Sequence, residues 1–91
     1  MRLSEVVSRH GFSSCDLADI KNAKLYARSN PDGVTELLCV QKVGNVFRID
    51  RLPMMQLAPD VLIPVGEGIT NQIVPKEDTE NYLNLTLAPA R

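Results

Sequence analysis

Tryptophan is absent from this chain of 91 residues, histidine occurs once and cysteine twice. Each shortage removes a class of chemistry. His10 is the only imidazole, and Cys15 and Cys39 show neither C-x-x-C nor H-x-x-x-H spacing, so no zinc site is expected. Two cysteines are too few for a disulfide scaffold, and reduced thiols are the expected state. Nucleophilic catalysis would need Cys15 or Cys39 beside His10. Cys39, however, sits in an apolar run, and Cys15 has only a predicted helix start to lower its pKa. Gly66-Glu67-Gly68 is followed by no lysine and no long helix, so it is not a phosphate loop. The reading is of a protein that is not an enzyme and carries no metal or cofactor. No apolar run approaches the ~20 residues of a membrane-spanning helix. The opening Met1-Arg2-Leu3-Ser4-Glu5 lacks the apolar stretch of a signal peptide, so the expected setting is cytoplasmic, away from membranes.

What remains is ordinary globular material. Hydrophobic residues make up 44% and charged residues 23%, which excludes a disordered tail. With only Phe12, Tyr26, Phe47 and Tyr82 as aromatics, the core must be aliphatic. A single domain of this length buries roughly 60–65% of its unfolded surface, so that core is thin. Net charge is −1 but unevenly spread: residues 21–51 carry a surplus of three positives and residues 52–91 a surplus of three negatives. Both are read as solvated surface.

The pattern predicts an α+β domain spanning 1–91, with one or two short N-terminal helices packed on an antiparallel meander of four to six strands. Residues 1–22 read as helical. Ser4 is placed to cap a first helix that carries Val6 and Val7 inward and stops at Gly11. Ser13 and Asp16 have capping-box spacing for a second, with Leu17 and Ile20 inward. Residues 24–50 read as three strands joined by turns at Asn30-Pro31-Asp32-Gly33 and Lys42-Val43-Gly44-Asn45. Residues 51–91 are punctuated by Pro53, Pro59, Pro64 and Pro75, which exclude a long helix there. Val61–Ile63 and Ile69–Val74 read as short strands. In the tail, Leu83, Leu85 and Leu87 at period two favour a strand, although Lys76 to Leu87 also fits a helix started by Glu77 and Asp78.

The stretch from Glu5 to Asn22 resembles the helix-turn-helix segment of bacterial DNA-binding regulators. Gly11 occupies the turn and Phe12 follows it; Val6, Val7, Leu17 and Ile20 face inward. Gly11-Phe12-Ser13-Ser14 is similar to the turn of the arabinose-regulator family. The resemblance covers about 18 of the 91 residues. It implies Ser13 to Lys21 in a DNA groove and Lys24, Arg28 and Lys42 on phosphates, with the Asn30–Gly33 hairpin as a wing. The sequence departs from the family at His10 and Val7. The implied reading face of Ser13, Ser14, Cys15, Ala18 and Asp19 also lacks the Arg, Lys, Asn or Gln that read bases. Asp16 and Asp19 would oppose phosphates.

The favoured expectation is therefore a small non-enzymatic protein-binding module, an inhibitor or adaptor acting by surface occlusion. Its candidate contact residues are Met54, Met55, Tyr82, Leu83, Leu85 and Leu87, whose apolar side chains near adaptable methionines suit a protein partner. A homodimer through the C-terminal strand is its self-associating form. The alternative is a helix-turn-helix regulator binding DNA through Ser13, Ser14, Lys21, Lys24, Arg28 and Lys42.

Overall fold

A computed structural model describes residues 2–15 and 21–87. Its elements run α1 (Leu3–Ser8), β1 (Ser13–Ser14), β2 (Ala23–Ser29), β3 (Val34–Val43), β4 (Val46–Ala58), β5 (Val61–Pro64), β6 (Ile69–Pro75) and α2 (Thr79–Thr86). A single 3-10 turn, Lys76–Asp78, leads into α2. The six strands form one antiparallel sheet in the order β1-β2-β3-β4-β5, and β6 pairs with β4. The α+β class and the antiparallel sheet agree with the sequence reading, but the helices lie at opposite ends of the chain.

The turns form for the reasons the sequence suggests. Gly33 N–H donates to Asn30 O at 3.1 Å and Asn30 N–H to Val34 O at 2.9 Å. This is a type I turn with Pro31 at its second position and Gly33 in the left-handed region at φ +86°. Gly44, at φ +60°, opens a two-residue turn between the paired Val43 and Val46.

β4 is the spine of the sheet. It pairs with β3 along its length, with β6 through its first half and with β5 through its second. Pro53 sits inside it opposite Glu36. Where β6 joins, one β4 residue, Asp50, faces two residues of β6, a β-bulge. Asn71 takes the left-handed conformation there, and its N–H donates to Asp50 Oδ1 at 2.8 Å. Just before β6, a Cβ on Gly68 would overlap the Arg51 carbonyl oxygen, so only glycine lets the chain approach β4 this closely.

Two expectations need correction. Ser13 and Ser14 do not start a second helix; they are extended and pair with Ala27 and Tyr26 of β2. The rest of that predicted helix, residues 16–20, lies outside the described residues. α1 closes before them, with Gly11 at φ +85°, Gly11 N–H on Ser8 O and Phe12 N–H on Val7 O, the pattern of a Schellman cap. Its first residue is Leu3, preceded by Arg2, so Ser4 lies inside the helix rather than capping it.

The second correction concerns the tail, which is the helix α2 and not the favoured strand. Leu83 and Leu87 are 0% exposed while Leu85 is 81% exposed. A strand would have put all three on one face; a spacing of four buries Leu83 and Leu87 and turns Leu85 outward. The acidic start at Glu77, Asp78 and Glu80 suits a helix N-terminus. Thr79, fully buried, donates its hydroxyl to Pro75 O at 2.9 Å.

Both helices cover the same face of the sheet. There Tyr26, Leu38, Val40, Ile49 and Val74 meet Val6, Val7, Phe12, Leu83 and Leu87 in one core, aliphatic but for Phe12 and Tyr26, with Leu3, Phe47 and Tyr82 at its rim. No helix among the described residues is long and apolar enough to cross a membrane.

Candidate functional site

The strand register sorts the side chains into two faces. The residues paired as Lys24–Val40, Tyr26–Leu38 and Arg28–Glu36 lie on the helix-covered face. Their neighbours on the same strands, Leu25–Cys39, Ala27–Leu37 and Ser29–Thr35, lie on the other. β4 continues this second face with Asp50 beside Cys39, Leu52 beside Leu37 and Met54 beside Thr35. An apolar strip of Leu25, Ala27, Leu37, Cys39, Leu52 and Met54 therefore runs across three strands. All but Met54 are half-buried, and no described element packs on them. Arg48 and Asp50 form an ion pair of 3.5 Å beside the strip.

Of the residues expected to contact a protein, Leu83 and Leu87 belong to the chain's own core and Tyr82 packs at its edge. Met54 is buried on the open face, Met55 is exposed beside it in the β4–β5 hairpin, and Leu85 stands alone on the outer side of α2. These six do not form one surface. Leu25, Ala27 and Leu37 were not singled out from the sequence, though a signal existed. Leu37-Leu38-Cys39-Val40 is apolar without alternation, the mark of a strand that needs burial on both faces.

The helix-covered face contains a second site. At the end that α1 and α2 leave open, a groove of about 750 Å³ is lined by Arg2, Leu3, Ser4, Ser14, Lys21, Asn22, Ala23, Lys24, Tyr26, Val40, Lys42 and Phe47. It brings together Ser14, Lys21, Lys24 and Lys42 from the residues named for nucleic acid. Ser13 falls on the opposite side of the register, paired with Ala27. Arg28 is elsewhere, held through its terminal nitrogens: its Nη1 donates to His10 O at 2.8 Å and Leu87 O at 2.9 Å, and its Nη2 to Glu36 Oε1 at 2.7 Å.

Arg28 is part of a charged knot on the helix-covered face. Glu36 accepts from Arg28, Arg51 and Asn30, and Arg51 also donates to Thr86 O. The two guanidinium groups thus tie strands β2, β3 and β4 to the carbonyls that end α2 and follow α1, where cations are favoured. Arg28 also lies over the Phe12 ring, 4.5 Å from its centre. Its Nε has no hydrogen-bond acceptor among the described residues. The Arg28 and Glu36 side chains are only 12% and 17% exposed. Burial alone would raise the Glu36 carboxyl, but the bonds from Arg28, Arg51 and Asn30 outweigh it and hold the pKa at about 2.

The residues considered for catalysis are dispersed. His10 Nε2 contacts Asn84 Oδ1 at 2.9 Å. Cys15 N–H donates to Leu25 O, which sets Cys15 on one side of Leu25 while Cys39 pairs with it on the other. Two strand spacings, about 9.6 Å, separate the cysteines, beyond the reach of a disulfide. Burial, and then the Asp50 charge, push the Cys39 thiol upward, away from a reactive thiolate.

No protein-family model matches this chain, and no curated protein or solved structure matches it either.

Proposed function

We propose that this chain is a non-catalytic protein-binding module that docks through the open face of its sheet. One observation carries the reading: the strip of Leu25, Ala27, Leu37, Cys39, Leu52 and Met54 has no described element upon it. A sheet with an apolar face gains by burying it, and the stable solution is a second layer. The occupant best matched to the strip is a second copy of the chain. Among the described residues, Arg48 and Asp50 give the face one charge of each sign, a neutral pair that is complementary to itself about a twofold axis. Two such sheets stack at about 10 Å, with side chains interdigitating. An inhibitor or adaptor of another protein would use this same strip by presenting it to that partner's apolar surface.

Cys39 supplies a local readout at the centre of the strip. In a Cys15→Ser background, its alkylation is expected to slow as protein concentration rises. In parallel, the mass in sedimentation should climb from the monomer value of 10.1 kDa. Leu37→Lys should hold the chain monomeric and keep Cys39 open at every concentration. Alkylation independent of concentration, with a monomer mass throughout, would sink the self-association reading.

A further inference from the structure

We infer that the basic groove at the end of the helix-covered face that α1 and α2 leave open binds a short stretch of single-stranded nucleic acid. It lies on the other side of the sheet from the open strip, and the inference does not depend on what docks there.

The charge of the groove is the first observation. Arg2, Lys21, Lys24 and Lys42 line it, and among the described residues no acidic side chain does. Lys24 pairs with Val40 and Lys42 with Phe47, so the two lysines stand on one face of adjacent strands as diagonal neighbours. Lys42 N–H also donates to Asn22 O, which draws the 21–22 segment alongside. None of the ion pairs among the described residues includes Lys21, Lys24 or Lys42; Arg2 makes only an exposed pair with Glu5 at 3.8 Å. Like charges held this close repel, and among the described residues nothing offsets the cost. A polyanion would.

The floor of the groove is the second observation. Beneath the cations lie Tyr26, Val40, Phe47 and Leu3, an apolar and partly aromatic surface. A site for a bare phosphate ion needs no such floor. Cations along a groove with an aromatic side chain between them is the composition that holds unpaired bases over a tracked backbone. Phe47 is half-buried and shared with the adjoining cleft lined by Leu3, Lys76, Glu77 and Glu80, so part of its ring remains open. A duplex keeps its bases stacked inside; only an unpaired strand brings a base to Phe47. The Ser14 hydroxyl and the Asn22 amide stand at the rim as neutral donors for phosphate or base edges.

The test is fluorescence anisotropy of a labelled oligo-thymidine with the full chain, titrated across salt. Four cations on a single strand predict a slope of log K against log salt near −3, at roughly −0.7 per contact. Lys24→Gln with Lys42→Gln removes half of them and should halve the slope. Both sites are exposed, so circular dichroism should be unchanged. Phe47→Leu keeps an apolar side chain at the rim of the core and should lose about tenfold in affinity with the slope intact. Leu37→Lys, on the opposite face, should leave binding as it was. Absence of binding at low salt overturns the inference, as does a slope untouched by the double lysine variant. Equal binding of a labelled poly-glutamate of matched length overturns it as well, because the groove would then be reading charge alone.

Discussion

Leu37 and Leu38 are neighbours in β3 and end on opposite faces of one sheet. Leu38 is fully buried beneath two helices; Leu37 is half-buried, with no described element above it. The chemistry of the two faces is nearly the same, leucine, valine and isoleucine against leucine, alanine and methionine, yet among the described residues only one is covered. In a chain of this length the two short helices suffice for one face. The thin core of the described residues is therefore one-sided, in keeping with the small volume of a chain this length, and the second face presents their remaining apolar surface.

The sharpest way to break this comparison is to truncate both leucines. Leu38→Ala removes a fully enclosed side chain and should cost about 3–5 kcal/mol, the transfer term plus an unfilled cavity. Leu37→Ala in the monomer should cost only about 1 kcal/mol, because the side chain is already partly in water and leaves no closed void. Urea unfolding of both variants at low protein concentration measures the difference. If the costs come out equal, the open face is covered after all and the docking reading loses its basis.

Gly68 comes next, at the seam where β6 leaves the sheet's central strand. Gly68→Ala drives a Cβ into the Arg51 carbonyl and against the Leu52 side chain. The expected loss is near the upper end of the ~1–3 kcal/mol that overpacking usually costs. It should be local: amide exchange should accelerate in β6 and at the Asp50–Asn71 bulge before it does in β2. Gly33→Ala is the natural control, since a Cβ there meets nothing and only the positive φ is at stake.

The Arg28–Glu36–Arg51 knot lies on the helix-covered face, and it responds to pH. Glu36 titrates at about 2 in the folded chain against an ordinary value of 4.5. A depressed folded pKa means that its stabilisation is complete above the unfolded value and is lost as pH falls from about 4.5 toward 2. The amount at stake is about 2 kcal/mol once partial solvent screening is allowed for. Glu36→Gln should flatten that part of the acid limb. At neutral pH it should also destabilise, because two half-buried guanidinium groups lose their anion. An unfolding curve for Glu36→Gln with the same steepness between those pH values would place the titrating group elsewhere.

Much of the fold was legible in the sequence, for reasons that are local. The meander of β2, β3 and β4 follows from turn chemistry at Pro31, Gly33 and Gly44, each of which needs a backbone state that its residue supplies. The strands at Val61–Pro64 and Ile69–Pro75 follow from β-branched runs bounded by proline and glycine. What could not be read is long-range. Ser13-Ser14 has weak preferences of its own, and its pairing with β2 is a tertiary outcome that overrides a plausible helix cap. The groove was half visible: Ser14, Lys21, Lys24 and Lys42 were named, but for a docking geometry built on a second helix. Phe47 joins them only through the strand register and Arg2 through the packing of α1, and Arg28 is withdrawn by two carbonyls distant in sequence and by the carboxylate across its hairpin. The apolar strip has the same character, since four of its six members alternate with core residues and look like core until the register separates the faces.

The tail offers the finest test, because it is where two periodicities competed for the same leucines. Residues 83, 85 and 87 satisfy a period of two, while Thr79, Leu83 and Leu87 satisfy a period of four, and burial follows the second. Leu83→Ala should therefore cost several kcal/mol, comparable to Leu38→Ala. Leu85→Lys should fall within about 0.5 kcal/mol of the parent chain, since the side chain is exposed and lysine is as good a helix former as leucine. The same lysine would be intolerable on the inner face of a strand, so the near-neutral outcome separates helix from strand without a structure. It also bears on docking. With Leu85 on the outer side of α2, remote from the open strip, Leu85→Lys should leave self-association and Cys39 protection unchanged. A loss of association in that variant would move the docking surface from the sheet to α2 and break the distinction between the two faces.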